Sequence, residues 1–244
     1  MNNSGIGPMA NNYFNFKQFT INQDKCTFKV GTDGVLLGAC ADIMGVATIL
    51  DIGTGTGLIA LILAQRCGAE ITAIEPDYDS FEQACDNVRQ SKWLNRIKVV
   101  NSNLQNFDPG ENRFDLIVTN PPWFTDSLRN PDPGKAAARH NVNIDTSDML
   151  NGVIRLLGND GRFQVIMPYA EGNVLIAEAK EYELFCNNIL KIRPLPTSKV
   201  RRLILTFSRH RVKPAEKFLT IEYGKEHKFT EEYIDLTRDF YLKF

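Results

Sequence analysis

From residue 47 onward the chain alternates short apolar runs with longer amphipathic stretches, the pattern of strands feeding helices. Residues 47–52 read as a buried strand and 58–67 as an apolar helix. Residues 70–74 form the next strand, and Pro76 and Asp77 mark the start of a helix over 79–91. Strands follow at 97–100 and 114–119, the second stopped by the double proline Pro121-Pro122. Residues 123–145 are polar and longer than ordinary connections, which points to a functional loop. A helix over 146–157, a strand over 162–167 and a helix over 171–182 continue the alternation. Strands at 188–192 and 202–208, joined through Pro194-Leu195-Pro196, suit an antiparallel pair; a β segment over 217–223 and a helix over 231–242 end the chain. The order predicts an α/β, doubly wound, mainly parallel sheet with helices on both faces.

The first 46 residues have a different texture. Residues 1–12 are polar and glycine-rich and are expected to be disordered or an added tail. Residues 12–21 alternate aromatic and polar side chains like a short strand. Neither a repeat nor a linker divides the rest, so 13–244 is expected to be a single domain.

With 244 residues, 43% of them hydrophobic, the composition is that of an ordinary globular protein and excludes disordered, collagen-like and disulfide-scaffold classes. No run approaches the roughly 18 apolar residues of a membrane span, and the N-terminus lacks the apolar core of a signal peptide. A cytoplasmic protein with no membrane partner is expected. The five cysteines are odd in number and lack a CxxC pair, so they read as reduced thiols with no metal site. The net charge of −1 hides an asymmetry: residues 191–217 hold nine bases against Glu216 alone, which is +8 over 27 residues and leaves −9 for the remainder. Such a segment is compatible with nucleic acid despite the neutral average.

Two motifs carry chemistry. In Asp51-Ile-Gly53-Thr54-Gly55-Thr-Gly57 a strand turns into a helix through small residues that let the backbone approach a ligand. Leu58 breaks the dinucleotide spacing G-x-G-x-x-G, and no Lys-Ser/Thr follows as a phosphate loop requires. Glu75, ending the second strand 18 residues after Gly57, can accept from a ribose diol. Asn120-Pro121-Pro122-Trp123 then follows a buried strand, at its C-terminal end, where open α/β sheets bind ligands. Asn120 Oδ1 and the Pro121 carbonyl can accept both protons of an exocyclic amino group, freeing its lone pair to attack. Pro122 keeps Pro121 out of the helical region, and Trp123 offers a face for an aromatic base, worth roughly 1–3 kcal/mol.

Together these motifs resemble the class I S-adenosylmethionine-dependent methyltransferases, and NPP-aromatic resembles their amino-methylating branch. Phe16-Lys-Gln-Phe19, Lys29-Val-Gly-Thr-Asp33-Gly-Val-Leu-Leu-Gly38-Ala, Ala138-Arg139 and Phe240-Tyr-Leu extend the likeness to the bacterial valine-tRNA adenine N6-methyltransferases, from about residue 13 onward. The resemblance implies a Rossmann-like seven-stranded sheet with an antiparallel C-terminal strand and a cofactor-capping segment over 13–45. It further implies S-adenosylmethionine as cofactor and the N6 amine of adenine 37 of valine tRNA as acceptor. Asp51, Gly53, Thr54, Gly55 and Gly57 would line the cofactor's methionine side and Glu75 its ribose. Thr32 and Asp33 would close over the methionine end, with Lys17 and Gln18 nearby. Asn120 would border both cofactor and target, and Asn103 stands where the family has an acid that accepts from the cofactor's adenine. Trp123 replaces the usual tyrosine and keeps the stacking.

The basic stretch supplies candidate RNA contacts at Lys199, Arg201, Arg202, Arg209 and Arg211, and Arg139 in the long loop is another. Lysines and arginines that protect sheet edges are the plainer explanation. Rival functions are an NPP-type enzyme acting on a release-factor glutamine or on an amino group of DNA or ribosomal RNA, an NAD-dependent oxidoreductase, and a catalytically silent RNA-binding module. A monomer or weak dimer is expected.

Overall fold

The computed structural model describes residues 11–121, 145–224 and 227–244. Its strands are β1 (Tyr13–Asn15), β2 (Thr20–Asn22), β3 (Thr48–Ile52), β4 (Glu70–Glu75), β5 (Ile97–Asn101), β6 (Phe114–Thr119), β7 (Leu157–Pro168), β8 (Phe185–Arg193), β9 (Arg202–Ser208) and β10 (Ala215–Thr220). The α-helices are α1 (Thr32–Cys40), α2 (Leu58–Arg66), α3 (Tyr78–Arg89), α4 (Thr146–Leu156), α5 (Tyr169–Glu178) and α6 (Glu231–Thr237).

Strands β3 to β10 make one sheet in the order β10-β8-β9-β7-β6-β3-β4-β5. The expected α/β doubly wound sheet is there, with two refinements. The sheet has eight strands, because β10 joins the edge parallel to β8, from Ala215↔Asn188 to Thr220↔Arg193. The antiparallel strand is β9, enclosed between β7 and β8, and the chain's last strand runs with the majority. The chain builds β3, β4 and β5 outward and then returns to the other side of β3 with β6. That reversal opens a crevice above the C-terminal ends of β3 and β6, the usual ligand position in such sheets.

Alternation along each strand divides the core between the two faces. Ile49, Ile71, Leu116, Val118 and Ile166 pack with α1, α2 and the N-terminal segment. Leu50, Ile74, Ile117 and Val165 pack with α4 and α5.

Helix α1 has no counterpart in the sequence reading, since two glycines interrupt a nine-residue stretch and each costs about 1 kcal/mol against alanine in a helix. Tertiary packing overrides that cost. A Cβ on Gly38 would lie 2.8 Å from Ile62 Cγ2, and one on Gly34 would lie 3.1 Å from Leu58 Cδ2, so α1 approaches α2 as closely as glycine permits. Arg66 Nη1 fixes the end of α1 by donating to the carbonyls of Gly38 and Ala41 at 2.7 and 2.9 Å.

The N-terminal segment is an antiparallel hairpin of β1 and β2 fastened at two places. At its turn, the Lys17 amide donates to Phe240 O, and Phe16 stacks between Phe19 and Tyr241. At its other end, the buried Asn87 of α3 exchanges two hydrogen bonds with the Asn22 backbone and donates a third to Thr56 O at 2.9 Å. One amide thereby ties the cap to the glycine loop.

Gly38→Ala drives a methyl group into Ile62, and overpacking of this kind costs about 1–3 kcal/mol. Urea denaturation is expected to show that loss with an unchanged slope. Wild-type stability in the variant would mean that α1 can slide on α2 without penalty.

Candidate active site

The chain leaves β3 through three glycines in the left-handed region, Gly53 (φ 67°), Gly55 (φ 55°) and Gly57 (φ 82°). L side chains rarely adopt that conformation. The amides of Gly53 and Thr54 donate to Ile74 O at 2.9 and 3.1 Å and lash the loop to β4. A Cβ on Gly53 or Gly55 would meet nothing within 4 Å, whereas one on Gly57 would meet Ala84 at 3.6 Å. The first two glycines border open space for a ligand, and the third packs the loop against α3.

Two buried carboxylates stand behind this loop. Asp51 is fully buried; its Oδ2 accepts from Thr54 Oγ1 at 2.6 Å, and its Oδ1 has no hydrogen-bond partner. Burial pushes its pKa up to about 7, against the opposing pull of the Thr54 hydroxyl and the Ala60 amide. Ala60 lies in the first turn of α2, whose N-cap Gly57 offers no side chain, so Asp51 faces a helix start that nothing else caps. Glu75 is also buried, and its two oxygens accept from the Gly55 amide at 2.8 Å and the Asp77 amide at 3.0 Å. Burial raises its pKa, and those two amides pull it down. The bonds aim the carboxylate at the mouth of the loop while leaving lone pairs for a ligand's hydroxyls.

Asn120 follows the end of β6, half-buried, where Thr119 Oγ1 donates to Ile52 O across to β3 at 2.9 Å. Helix α1 closes the other side: a Cβ on Gly34 would lie 3.8 Å from Asn120 Nδ2. The Thr32-Asp33-Gly34 segment, the start of α2 that follows the glycine loop, and Asn120 therefore converge. Pro121 is buried, while Pro122, Trp123, Arg139 and His140 lie outside the described residues.

Other expected residues have different partners. Asn103 is exposed, and its Oδ1 accepts from the Asn106 amide at 2.8 Å, shaping the turn after β5. Lys17 Nζ donates to the carbonyls of Arg238 and Phe244, both at 2.6 Å, so it pins the C-terminal segment. Gln18 is exposed in the same turn. Asp33 forms an ion pair with Arg202, Oδ2 to Nε 2.7 Å, which joins an expected cofactor residue to an expected RNA residue.

The basic stretch is not one patch. Strand β9 runs against β7, with Arg202 opposite Pro168 at the ligand edge and Phe207 opposite Phe163 towards the far edge. At about 3.4 Å per residue, this places Arg209 and Arg211 about 20 Å or more from Arg202. Arg209 Nη2 donates to Ile154 O at 2.8 Å, in the last turn of α4, and Arg211 lies over the Phe185 ring. Both lie at the opposite end of β9 from Arg202.

Asn87 and Gln83 were absent from the sequence reading although they fix the cap. Their signal was two amides on the buried face of amphipathic α3, where aliphatic residues would be expected.

Comparison with known proteins agrees with this geometry. A family model described as a methyltransferase domain matches residues 49–140. The predicted O-methyltransferase structure from Agrobacterium tumefaciens superposes with a TM-score of 0.62 at 21% identity, covering 85% of this chain and 96% of that one, and shows the fold. A protein of Trichodesmium erythraeum is 42% identical over 97% of this chain and 100% of its own length, and is named tRNA1(Val) (adenine(37)-N6)-methyltransferase. One of Phocaeicola vulgatus with the same name is 45% identical over 96% of this chain and 99% of its own. With that identity over nearly its whole length, the chain belongs to the tRNA1(Val) (adenine(37)-N6)-methyltransferase family.

Proposed function

We propose that this protein transfers a methyl group from S-adenosylmethionine to N6 of adenine 37 in a valine tRNA. The observation that carries the reading is the juxtaposition of an open left-handed glycine loop with Asn120, in a chain so similar to relatives named for that reaction. None of those relatives favours a release-factor glutamine, DNA or ribosomal RNA as acceptor.

The residues present fit the cofactor. Gly53 and Gly55 leave room for its backbone approach, Asp51 keeps one buried oxygen without a partner, and Glu75 is held for a diol. S-adenosylmethionine supplies an electrophilic sulfonium methyl. The chain's own residues position the nucleophile. Asn120 Oδ1 and the Pro121 carbonyl would accept hydrogen bonds from the two N6 N–H groups and turn the nitrogen lone pair out of conjugation. No strong general base is required, because the nitrogen becomes acidic only as the new bond forms, and the one proton it then sheds passes along its hydrogen bonds to water as the methylated product leaves. Catalysis is then mainly positioning in a site shielded from water, with residues 13–45 as the cap. The target base must leave the anticodon-loop stack, a step that costs least for an already exposed nucleotide.

Asn120→Ala is expected to lower kcat by about 100-fold or more, as loss of one preorganised polar group does, with cofactor affinity within a few fold by calorimetry. Unchanged turnover would remove Asn120 from the mechanism.

Asp51 gives a pH signature. Its folded-state pKa of about 7 lies above the ordinary carboxylate value, so the folded protein holds a proton that the unfolded chain has released above about pH 4. Its contribution to stability is therefore greatest at low pH and falls as pH rises through 7. A cationic methionine end beside Asp51 favours its ionised form, so cofactor affinity is expected to rise with pH, by up to about tenfold per unit below about 7. Asp51→Asn is expected to flatten both profiles in thermal melts and calorimetry. A variant retaining the wild-type profiles would place their origin in another group.

A further inference from the structure

A groove of about 1040 Å³ opens beside the site, between Thr32 and Asp33 at the start of α1 and the C-terminal residues Leu242 to Phe244. It is separate from the space above Gly53 and Gly55. Rings line one part of it: Phe14, Phe229, Tyr241 and Phe244, all half-buried. Tyr241 meets Phe14 and Phe244 edge-on, at centroid distances of 6.1 and 5.7 Å. Cations stand with them: Arg201, Arg202 and Lys243. The acids of the groove are already engaged, Asp33 by Arg202 and Glu222 by the His227 amide at 3.1 Å. The charged ends of Arg201 and Lys243 have no hydrogen bond or ion pair among the described residues.

We propose that this groove receives the unpaired nucleotides flanking the target adenine, with bases against the rings and phosphates on Arg201 and Lys243. The inference rests on RNA being the substrate and names where the RNA lies. Three features favour single-stranded RNA over a peptide. Ring faces beside cations are the combination that binds unstacked nucleotides without reading sequence. The free charges are positive although the chain outside residues 191–217 is acidic. The groove also ends at Asp33, one residue from Gly34, which abuts Asn120. An RNA strand leaving the active site over that segment would enter the groove. Arg202, paired with Asp33 at the junction, acts as a positioning residue between the two.

The test uses the whole protein, S-adenosylmethionine and an anticodon stem-loop RNA carrying the target adenine. The double variant R201E/K243E is expected to raise KM for RNA at least tenfold and to make the log-log salt dependence of affinity shallower by about one to two units. kcat at saturating RNA and cofactor affinity should each stay within about threefold. R211E, at the opposite edge, should leave KM unchanged. Replacing the flanking nucleotides by abasic residues should raise KM about tenfold for wild type and much less for F244L, because the stacking is already lost. Equal KM increases in R211E and R201E/K243E, or none in either, would overturn the groove. So would a concentration-dependent dimer that occludes it and is lost in R201E/K243E. Failure of the functional reading would be distinct: wild-type protein would transfer no methyl group to tRNA at all.

Discussion

The site depends on how closely α1 lies on α2. Gly34 and Gly38 are four residues apart on one face of α1, and a methyl at either position would press on Leu58 or Ile62 of α2. Because α1 begins at Thr32 and Asp33, its distance from α2 sets where those residues stand relative to Asn120. The glycine loop runs directly into the same α2. One helix contact therefore fixes three parts of the site relative to each other, and the low helix propensity of two glycines is the cost of that approach.

Electrostatics at the loop follow from the same burial. Asp51 and Glu75 sit where water is excluded, which raises both pKa values, yet each is held by groups that favour the charged form. Under the proposed function the ligand is cationic and would complete what Thr54, Ala60, Gly55 and Asp77 only partly supply. The empty hydrogen-bonding capacity of Asp51 Oδ1 is costly in the folded protein.

Much of the fold was legible because it is local in sequence. Short apolar runs announced β3 to β7, and Pro76-Asp77 announced α3 with its cap, where Asp77 Oδ2 accepts from Ser80 N. The glycine loop and Asn120 were legible because a turn chemistry and a double proline mark them. Helix α1 was not, since its stability comes from contacts with residues over twenty positions away. The contacts of Lys17 were not legible for a similar reason: its partners are more than 220 residues distant, and a lysine in a hairpin turn carries no sign of them. The basic stretch shows the opposite case: neighbours in sequence need not be neighbours in space, because a seven-residue strand separates its two ends by its own length.

That division changes what the charge asymmetry means. Of the nine bases in residues 191–217, Arg209 closes a helix end, Arg211 covers a ring, and Lys191 pairs with Glu216 at 2.6 Å. Each has a partner inside the fold and little reason to seek a phosphate. Among the described residues the charged end of Arg201 has none, and Arg201 lines the same groove as Lys243, which comes from the C-terminal segment. Lys243 is held there because Lys17 grips the backbone oxygens of Arg238 and Phe244, so the N-terminal hairpin fixes the segment that carries this cation of the groove. Loosening the hairpin would consequently release the C-terminal segment, and the two ends of the described chain act as one structural element.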